Sequence, residues 1–158
     1  MSTLTEGMDC PDFSFVGADG AAVTRADLMG KPFVLFFYPK DDTSGCTQEA
    51  VAFSALAGDF EAAGVAIAGV SPDSPKSHAK FRQKHELTVA LMSDEEKTSL
   101  QAFGVWVEKS MYGRKYMGVE RTTVLVGADG RIRRVWPKVK VPGHAQEVLK
   151  AAREVAPA

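Results

Sequence analysis

Apolar residues in this chain fall into short dense runs, and the polar segments between them carry helical stripes of uneven clarity. Phe33-Val34-Leu35-Phe36-Phe37-Tyr38 and Val65-Ala66-Ile67-Ala68-Gly69-Val70 are continuous runs of strand length, the pattern of strands covered on both faces. Val89-Ala90-Leu91-Met92 is a shorter run of the same kind. Between the first two, Ala50, Phe53, Leu56, Ala57 and Phe60 share one helical face, predicting a helix from about residue 45 that stops near Gly64. Ser74-Pro75 predicts an N-cap followed by proline at the first helical position, opening a helix through about His85. Ser93 and Glu96 have capping-box spacing and predict a short helix ending near Gly104. Val148, Leu149, Ala152 and Val155 form the inner face of a last helix from about His144.

Two hairpins bracket this alternation. Asp12–Val16 and Ala21–Val23 flank Gly17-Ala18-Asp19-Gly20, and Thr122–Val126 and Ile132–Trp136 flank Gly127-Ala128-Asp129-Gly130. The flanks differ, so the shared tetrapeptide is common turn chemistry rather than a repeat. Residues 105–120, rich in Gly, Tyr and Met, predict no clear element. Strand–helix–strand early, then an antiparallel hairpin and a helix, predicts an α/β chain with a thioredoxin-like fold. Its central mixed sheet is flanked by helices and carries an N-terminal β-hairpin extension.

Length and charge narrow the function. The 158 residues suffice for a single domain, 1–158, and are too few for two comfortable ones. A net charge of −1 supplies no basic field for nucleic acid or an anionic membrane. No apolar run approaches the roughly 18 residues of a membrane span. The segment Met1–Asp9 has neither a basic region nor an apolar stretch, so no secretory signal is expected. Two cysteines make no disulfide framework, and a reducing, cytoplasmic location is expected. Neither a metal nor an organic cofactor is expected: Gly17-Ala18-Asp19-Gly20 lacks the spacing of a phosphate loop. His78 and His85 lie on a helix with Lys76, Lys80, Arg82 and Lys84, and a solvated face is the expectation for them rather than a metal site.

Chemistry concentrates in Pro39-Lys40-Asp41-Asp42-Thr43-Ser44-Gly45-Cys46. A strand, a polar loop and a cysteine at a helix start expose a thiol at the positive end of a helix dipole, which favours thiolate. With Thr43 as N-cap, Cys46 is the third helical residue, and the Thr43 hydroxyl is expected to reach the Cys46 amide or sulfur. First-turn N–H groups have no intrahelical partners and add donors. Asp41 and Asp42 oppose a further anion, so a fixed cation is needed. Arg121, just before the strand Thr122–Val126, is the candidate, because that strand start faces the first long helix in a thioredoxin-type fold. A charge exposed at a strand end is the competing reading of Arg121.

The run Phe37-Tyr38-Pro39-Lys40-Asp41-Asp42-Thr43-Ser44-Gly45-Cys46-Thr47-Gln48-Glu49 is similar to the active-site signature of the peroxiredoxins. It most resembles the bacterioferritin comigratory protein, or peroxiredoxin Q, subfamily. Val105–Gly118, Arg121-x-Thr123 and Lys138–His144 extend the likeness over most of the chain. The resemblance implies a thiol-dependent peroxidase acting on hydrogen peroxide and organic hydroperoxides through a sulfenic acid on Cys46, with thioredoxin or a small thiol as reductant. It assigns Thr43 and Arg121 to catalysis beside Cys46, and Pro39 and Tyr38 to the pocket. Glu49 either orients the arginine or is a plain exposed glutamate. Relatives are monomers or pair weakly, so a monomer or weak homodimer is expected.

Two departures matter. Ser44 stands where the family usually has proline, with a small effect expected. Val51 occupies the position five after Cys46 where many relatives carry a resolving cysteine, and Ser74–Leu87 contains none. Cys10 is then either a buried small hydrophobe or a resolving thiol, and a one-cysteine mechanism is the default. Trp106, Met111, Tyr112, Tyr116 and Met117 either pack residues 105–120 on the core or line the pocket, with packing expected and a rim role for one or two. The competing functions are a disulfide oxidoreductase, which the Glu49 three after Cys46 disfavours, and a redox sensor or holdase using Cys46 oxidation.

Overall fold

The computed structural model describes residues 4–155. Among them a seven-stranded mixed sheet carries helices on both sides, the α/β arrangement expected from the pattern of runs and stripes. Its centre is β3 (Phe33–Phe37), buried along its whole length. β4 (Ala66–Ser71) and β5 (Ala90–Ser93) lie parallel to it in the order β5-β4-β3. On the other side β8 (Thr122–Val126) and β9 (Ile132–Trp136) pair antiparallel. The N-terminal hairpin, β1 (Ser14–Gly17) and β2 (Ala22–Thr24), adds to the far edge through β5.

The residues of β3, and Tyr38 just after it, alternate between two cores. Val34, Phe36 and Tyr38 face the layer formed by α2 (Ser44–Ala55), α3 (Ala57–Ala62), α4 (Pro75–His85) and α6 (His144–Val155). Phe33, Leu35 and Phe37 face Cys10, Phe13, Phe15 and Phe103 on the opposite side. Gly69 lets this sheet close: a Cβ there would stand 2.6 Å from the Phe36 ring.

Four local features differ from the sequence expectation. The predicted helix of about 45–64 is two helices, because Leu56 leaves helical geometry at φ −102°, ψ 2° while the apolar face runs on. A short α1 (Arg25–Leu28) follows β2, closed by a Thr24–Asp27 capping box. Ser93 belongs to β5 and caps nothing; α5 (Thr98–Ala102) starts from Lys97, and the Asp94 carboxylate accepts from the Leu100 N–H at 2.8 Å. Residues 105–120 form a two-stranded antiparallel arm, β6 (Trp106–Met111) and β7 (Arg114–Val119), turning at Tyr112-Gly113. Packing of that arm on the core holds for Trp106 alone among the named residues; Met111, Tyr112, Tyr116 and Met117 are exposed. No helix of the described residues is long and apolar enough to cross a membrane.

Candidate active site

Parallel pairing brings the C-terminal ends of β3, β4 and β5 to one edge of the sheet, where loops gather and sites form in open α/β sheets. The antiparallel β8 starts at that same edge, with Thr122 in register opposite Phe37. Arg121 therefore emerges beside the residue where the chain leaves β3 for the loop to Cys46. The expectation that the strand start faces the helix start holds: Arg121 Nη2 donates to Cys46 Sγ at 3.2 Å, and Nη1 donates to Glu49 Oε1 at 2.7 Å. Cys46 and Glu49 are three apart on α2, so one guanidinium spans one helical turn and holds both.

All three groups are withdrawn from solvent. Cys46 and Glu49 are each 1% exposed, so Glu49 is not a surface glutamate. Its Oε2 has no hydrogen-bond partner. Burial pushes the Glu49 carboxyl up to about 7, with Arg121 pulling it the other way. Burial works against the Arg121 charge, and Glu49 and Cys46 outweigh it, so the guanidinium is held above its ordinary value. Gly45 belongs to this site as well, which the sequence reading missed. A Cβ on Gly45 would lie 3.2 Å from Arg121 Nη2, so its lack of a side chain leaves room for the guanidinium over the helix start. Lys109, on the arm, faces the same cluster; burial and then Arg121 lower its pKa, while Cys46 and Glu120 raise it.

Thr43 is the N-cap residue with an extended backbone, as expected, and Thr47 N–H donates to its carbonyl at 2.8 Å. The first-turn N–H groups before Thr47, that of Cys46 included, have no intrahelical acceptor. The Thr43 hydroxyl does something other than predicted. It donates back to the Lys40 carbonyl at 2.9 Å, closing the loop rather than capping α2, and so leaves only its lone pairs for a hydroxylic guest. Pro39 is half-buried at the loop start. Tyr38 packs in the same core as Cys46, and its hydroxyl donates to Asp41 Oδ1 at 2.6 Å beneath the loop.

The two aspartates of the loop do not crowd the thiol with uncompensated charge. Asp41 pairs with His78 Nδ1 at 2.8 Å and accepts from Ser77 Oγ at 2.8 Å, while its N–H donates to Asp73 Oδ2. Asp42, held at φ 58°, accepts from Lys84 Nζ at 2.7 Å and lies 2.8 Å from His85 Nε2. Those two bonds keep the Asp42 carboxyl below its ordinary value. The solvated face expected for His78 and His85 is therefore corrected: His78 is fully buried, and both rings bind the loop before Cys46 to α4. Their spacing of seven residues signalled a common face, but a helix this polar does not reveal which face is inward.

Cys10 is buried on the opposite side of the sheet, in the core that holds Phe33, Leu35 and Phe37. Burial pushes its thiol up to about 12. Val51, at the vacant resolving position, is exposed on α2. His144 opens α6 as expected, buried with its Nε2 2.8 Å from Thr123 Oγ1. Among the described residues no cluster of His, Cys, Asp and Glu could hold a metal ion.

The profile of the AhpC/TSA family matches residues 7–135. A putative peroxiredoxin bcp of Coxiella burnetii is 46% identical over 147 residues, covering 93% of this chain and 97% of that protein. The peroxiredoxin Bcp of Bacillus subtilis is 42% identical over 153 residues, covering 97% and 98%. A cysteine-to-serine mutant of Xylella fastidiosa PrxQ superposes with a TM-score of 0.91 at 37% identity, covering 98% of each chain. The bacterioferritin comigratory protein of Xanthomonas campestris, solved as trapped intermediate and ligand complexes bearing on its alkyl peroxide reduction activity, has a TM-score of 0.87 at 39% identity over 98% of each chain. With a cysteine at a helix start under a guanidinium, in a thioredoxin-like sheet, this chain belongs to the AhpC/TSA family, in its peroxiredoxin Bcp group.

Proposed function

We propose that Cys46 is the attacking thiol of this thiol-dependent peroxidase and that the chain works by a one-cysteine mechanism. The observation that carries the assignment is the 3.2 Å contact of Arg121 Nη2 with Cys46 Sγ in the first turn of α2. The Cys46 thiolate attacks one oxygen of hydrogen peroxide or an organic hydroperoxide. The S–O bond forms as the O–O bond breaks, and hydroxide or alkoxide departs, leaving a sulfenic acid. Arg121 and the Cys46 N–H hold the oxygens as charge moves along that line. Thr43 accepts from the peroxide hydroxyl, Pro39 and Tyr38 wall the pocket, and Glu49 holds Arg121 in place.

A reductant thiolate then attacks the sulfenic sulfur, expelling hydroxide that becomes water, and a second thiol frees Cys46 from the mixed disulfide. Thioredoxin or a small thiol supplies both sulfurs, because Cys10 lies across the sheet and Val51 has no thiol. The reading takes residues 1–158 as one thioredoxin-like domain, a monomer or weak homodimer, in a cytoplasmic setting that the two free thiols suit. Single-turnover oxidation tests it. Cys46→Ser is expected to abolish peroxide consumption, and Arg121→Ala to slow the attack by about 10²-fold. Attack in the wild type no faster than that of a free thiol would refute the assignment.

A further inference from the structure

Cys46 and Glu49 compete for one cation. Arg121 is the guanidinium bound to both, and both are almost wholly enclosed. If thiolate and carboxylate were ionised together, one guanidinium would face two anions across one helical turn, at a cost that burial magnifies. The other charged or titratable groups facing this cluster do not remove the imbalance. Lys109 of β6 feels the Cys46 charge but makes no ion pair with either group among the described residues, and Glu120, ahead of Arg121, offsets it with negative charge. His144 of α6 is kept neutral, its pKa pushed down to about 4 by burial and by Arg121 against Glu147. Glu49 Oε2 has no hydrogen-bond partner, so its proton, when present, is committed to no other group of the site.

We propose that Glu49 holds a proton while Cys46 is a thiolate and releases it to the departing alkoxide or hydroxide as Cys46 becomes a sulfenic acid. The inference rests on the reading of Cys46 as the attacking thiol. In atoms, thiolate and hydroperoxide give sulfenic acid and alkoxide, and alkoxide and the Glu49 carboxyl give alcohol and the Glu49 carboxylate. No proton crosses to or from solvent. The driving force is electrostatic: once the thiolate is consumed, Arg121 has only Glu49 to pair with, which favours the carboxylate. Burial already raises the Glu49 carboxyl to about 7 against the pull of Arg121, the direction that a retained proton requires. Returning Cys46 to thiolate after reduction reloads Glu49.

The test is proton stoichiometry in a single turnover, read with a pH-indicator dye after one equivalent of hydrogen peroxide. It compares wild type with Glu49→Gln at one pH where the ultraviolet thiolate absorbance of both is complete. Glutamine keeps an oxygen for Arg121 Nη1 and cannot give up a proton. Wild type is expected to exchange no proton with solvent per sulfenic acid formed, and Glu49→Gln to take up one, with attack slowed about 10²-fold. Proton uptake by wild type, or none by the variant, overturns the proposal. Difference infrared spectroscopy of wild type covers a variant that fails to fold: a protonated-carboxyl band must be present in the thiolate state and lost on oxidation, and its absence overturns the proposal equally. Trapping with a sulfenic-acid reagent separates the two levels, because failure to label Cys46 would refute the parent assignment and not the proton's source.

Discussion

Asp41 and His78 form an ion pair under the loop that leads to Cys46, with Nδ1–Oδ2 at 2.8 Å and side chains 4% and 0% exposed. The opposite ring nitrogen, Nε2, lies 3.0 Å from the Met92 carbonyl, which can only accept, so Nε2 carries hydrogen. Tyr38 and Ser77 supply two further donors to the same carboxylate, so the loop that positions Cys46 is fixed to α4 by a satisfied buried network. His78→Gln strands Asp41 without its cation and is expected to cost about 3–5 kcal/mol of stability. Removing both partners, Asp41→Asn with His78→Gln, is expected to cost less than the sum of the single changes by at least ~1 kcal/mol. Urea unfolding of the four proteins checks this, and additive losses would show that the pair is not coupled.

Gly45→Ala separates the site from the scaffold. Gly45 has an ordinary helical position near the start of α2, where alanine is the better helix former by up to ~1 kcal/mol. The new Cβ would stand 3.2 Å from Arg121 Nη2, tight enough to push the guanidinium by a few tenths of an ångström. Stability is expected to hold or rise while the attack rate falls about threefold to tenfold, because a misplaced group weakens catalysis before it weakens the fold. Stopped-flow oxidation together with thermal unfolding reads both. An unchanged rate would mean that Arg121 tolerates the shift.

The strands and the helix stripes were legible because they bury apolar residues at regular periods, as β3 and the inner face of α6 do. The β6–β7 arm escaped because both of its faces are largely exposed, leaving no alternation to read. Ser93–Glu96 imitated a helix start because capping-box spacing says nothing about whether the serine is already committed to a strand. Spacing and topology nominated Cys46, Thr43 and Arg121 as neighbours, and the family resemblance favoured Arg121 over an exposed charge; the contact of Arg121 with Cys46 is what the structure adds. Gly45 and the His78 pairing were not recognisable, since a missing side chain and a buried polar one both owe their roles to what packs against them.

Cys10 packs among Phe13, Phe15 and Phe33 and is 0% exposed, with the sheet between it and Cys46. A disulfide needs Cα atoms within about 7 Å, which no side-chain rotation supplies across a sheet. Cys10→Ser is therefore expected to leave peroxide turnover with a small-thiol reductant within about twofold of wild type. Its cost falls on stability, about 1–3 kcal/mol for a hydroxyl placed in an apolar core. Mass spectrometry of wild type after one equivalent of peroxide is expected to show oxidised Cys46 and no Cys10–Cys46 bridge. Detection of that bridge would make Cys10 the resolving thiol and end the one-cysteine reading.

His144 sets a pH dependence with a definite sign. Its ring lies edge-on to Phe53 and Trp136, and burial holds its pKa at about 4 against an ordinary 6.5. Above 6.5 the ring is neutral in both folded and unfolded chains and contributes no slope. As pH falls from 6.5 to about 4 the unfolded chain binds a proton that the folded one refuses, so stability is lost through that window and levels off below it. The loss from this one ring reaches roughly 3 kcal/mol. Glu49 acts in the opposite sense, because a carboxyl raised to about 7 from 4.5 makes the folded chain bind the extra proton between those values. The two partly cancel in the wild type, so the decisive quantity is the difference between proteins. His144→Gln is expected to be less stable than wild type at neutral pH, having lost its ring contacts. That gap narrows by roughly 3 kcal/mol as pH falls to about 4, as urea unfolding across the window measures. A gap that stays constant would show that His144 takes up its proton as readily in the folded protein as in the unfolded chain.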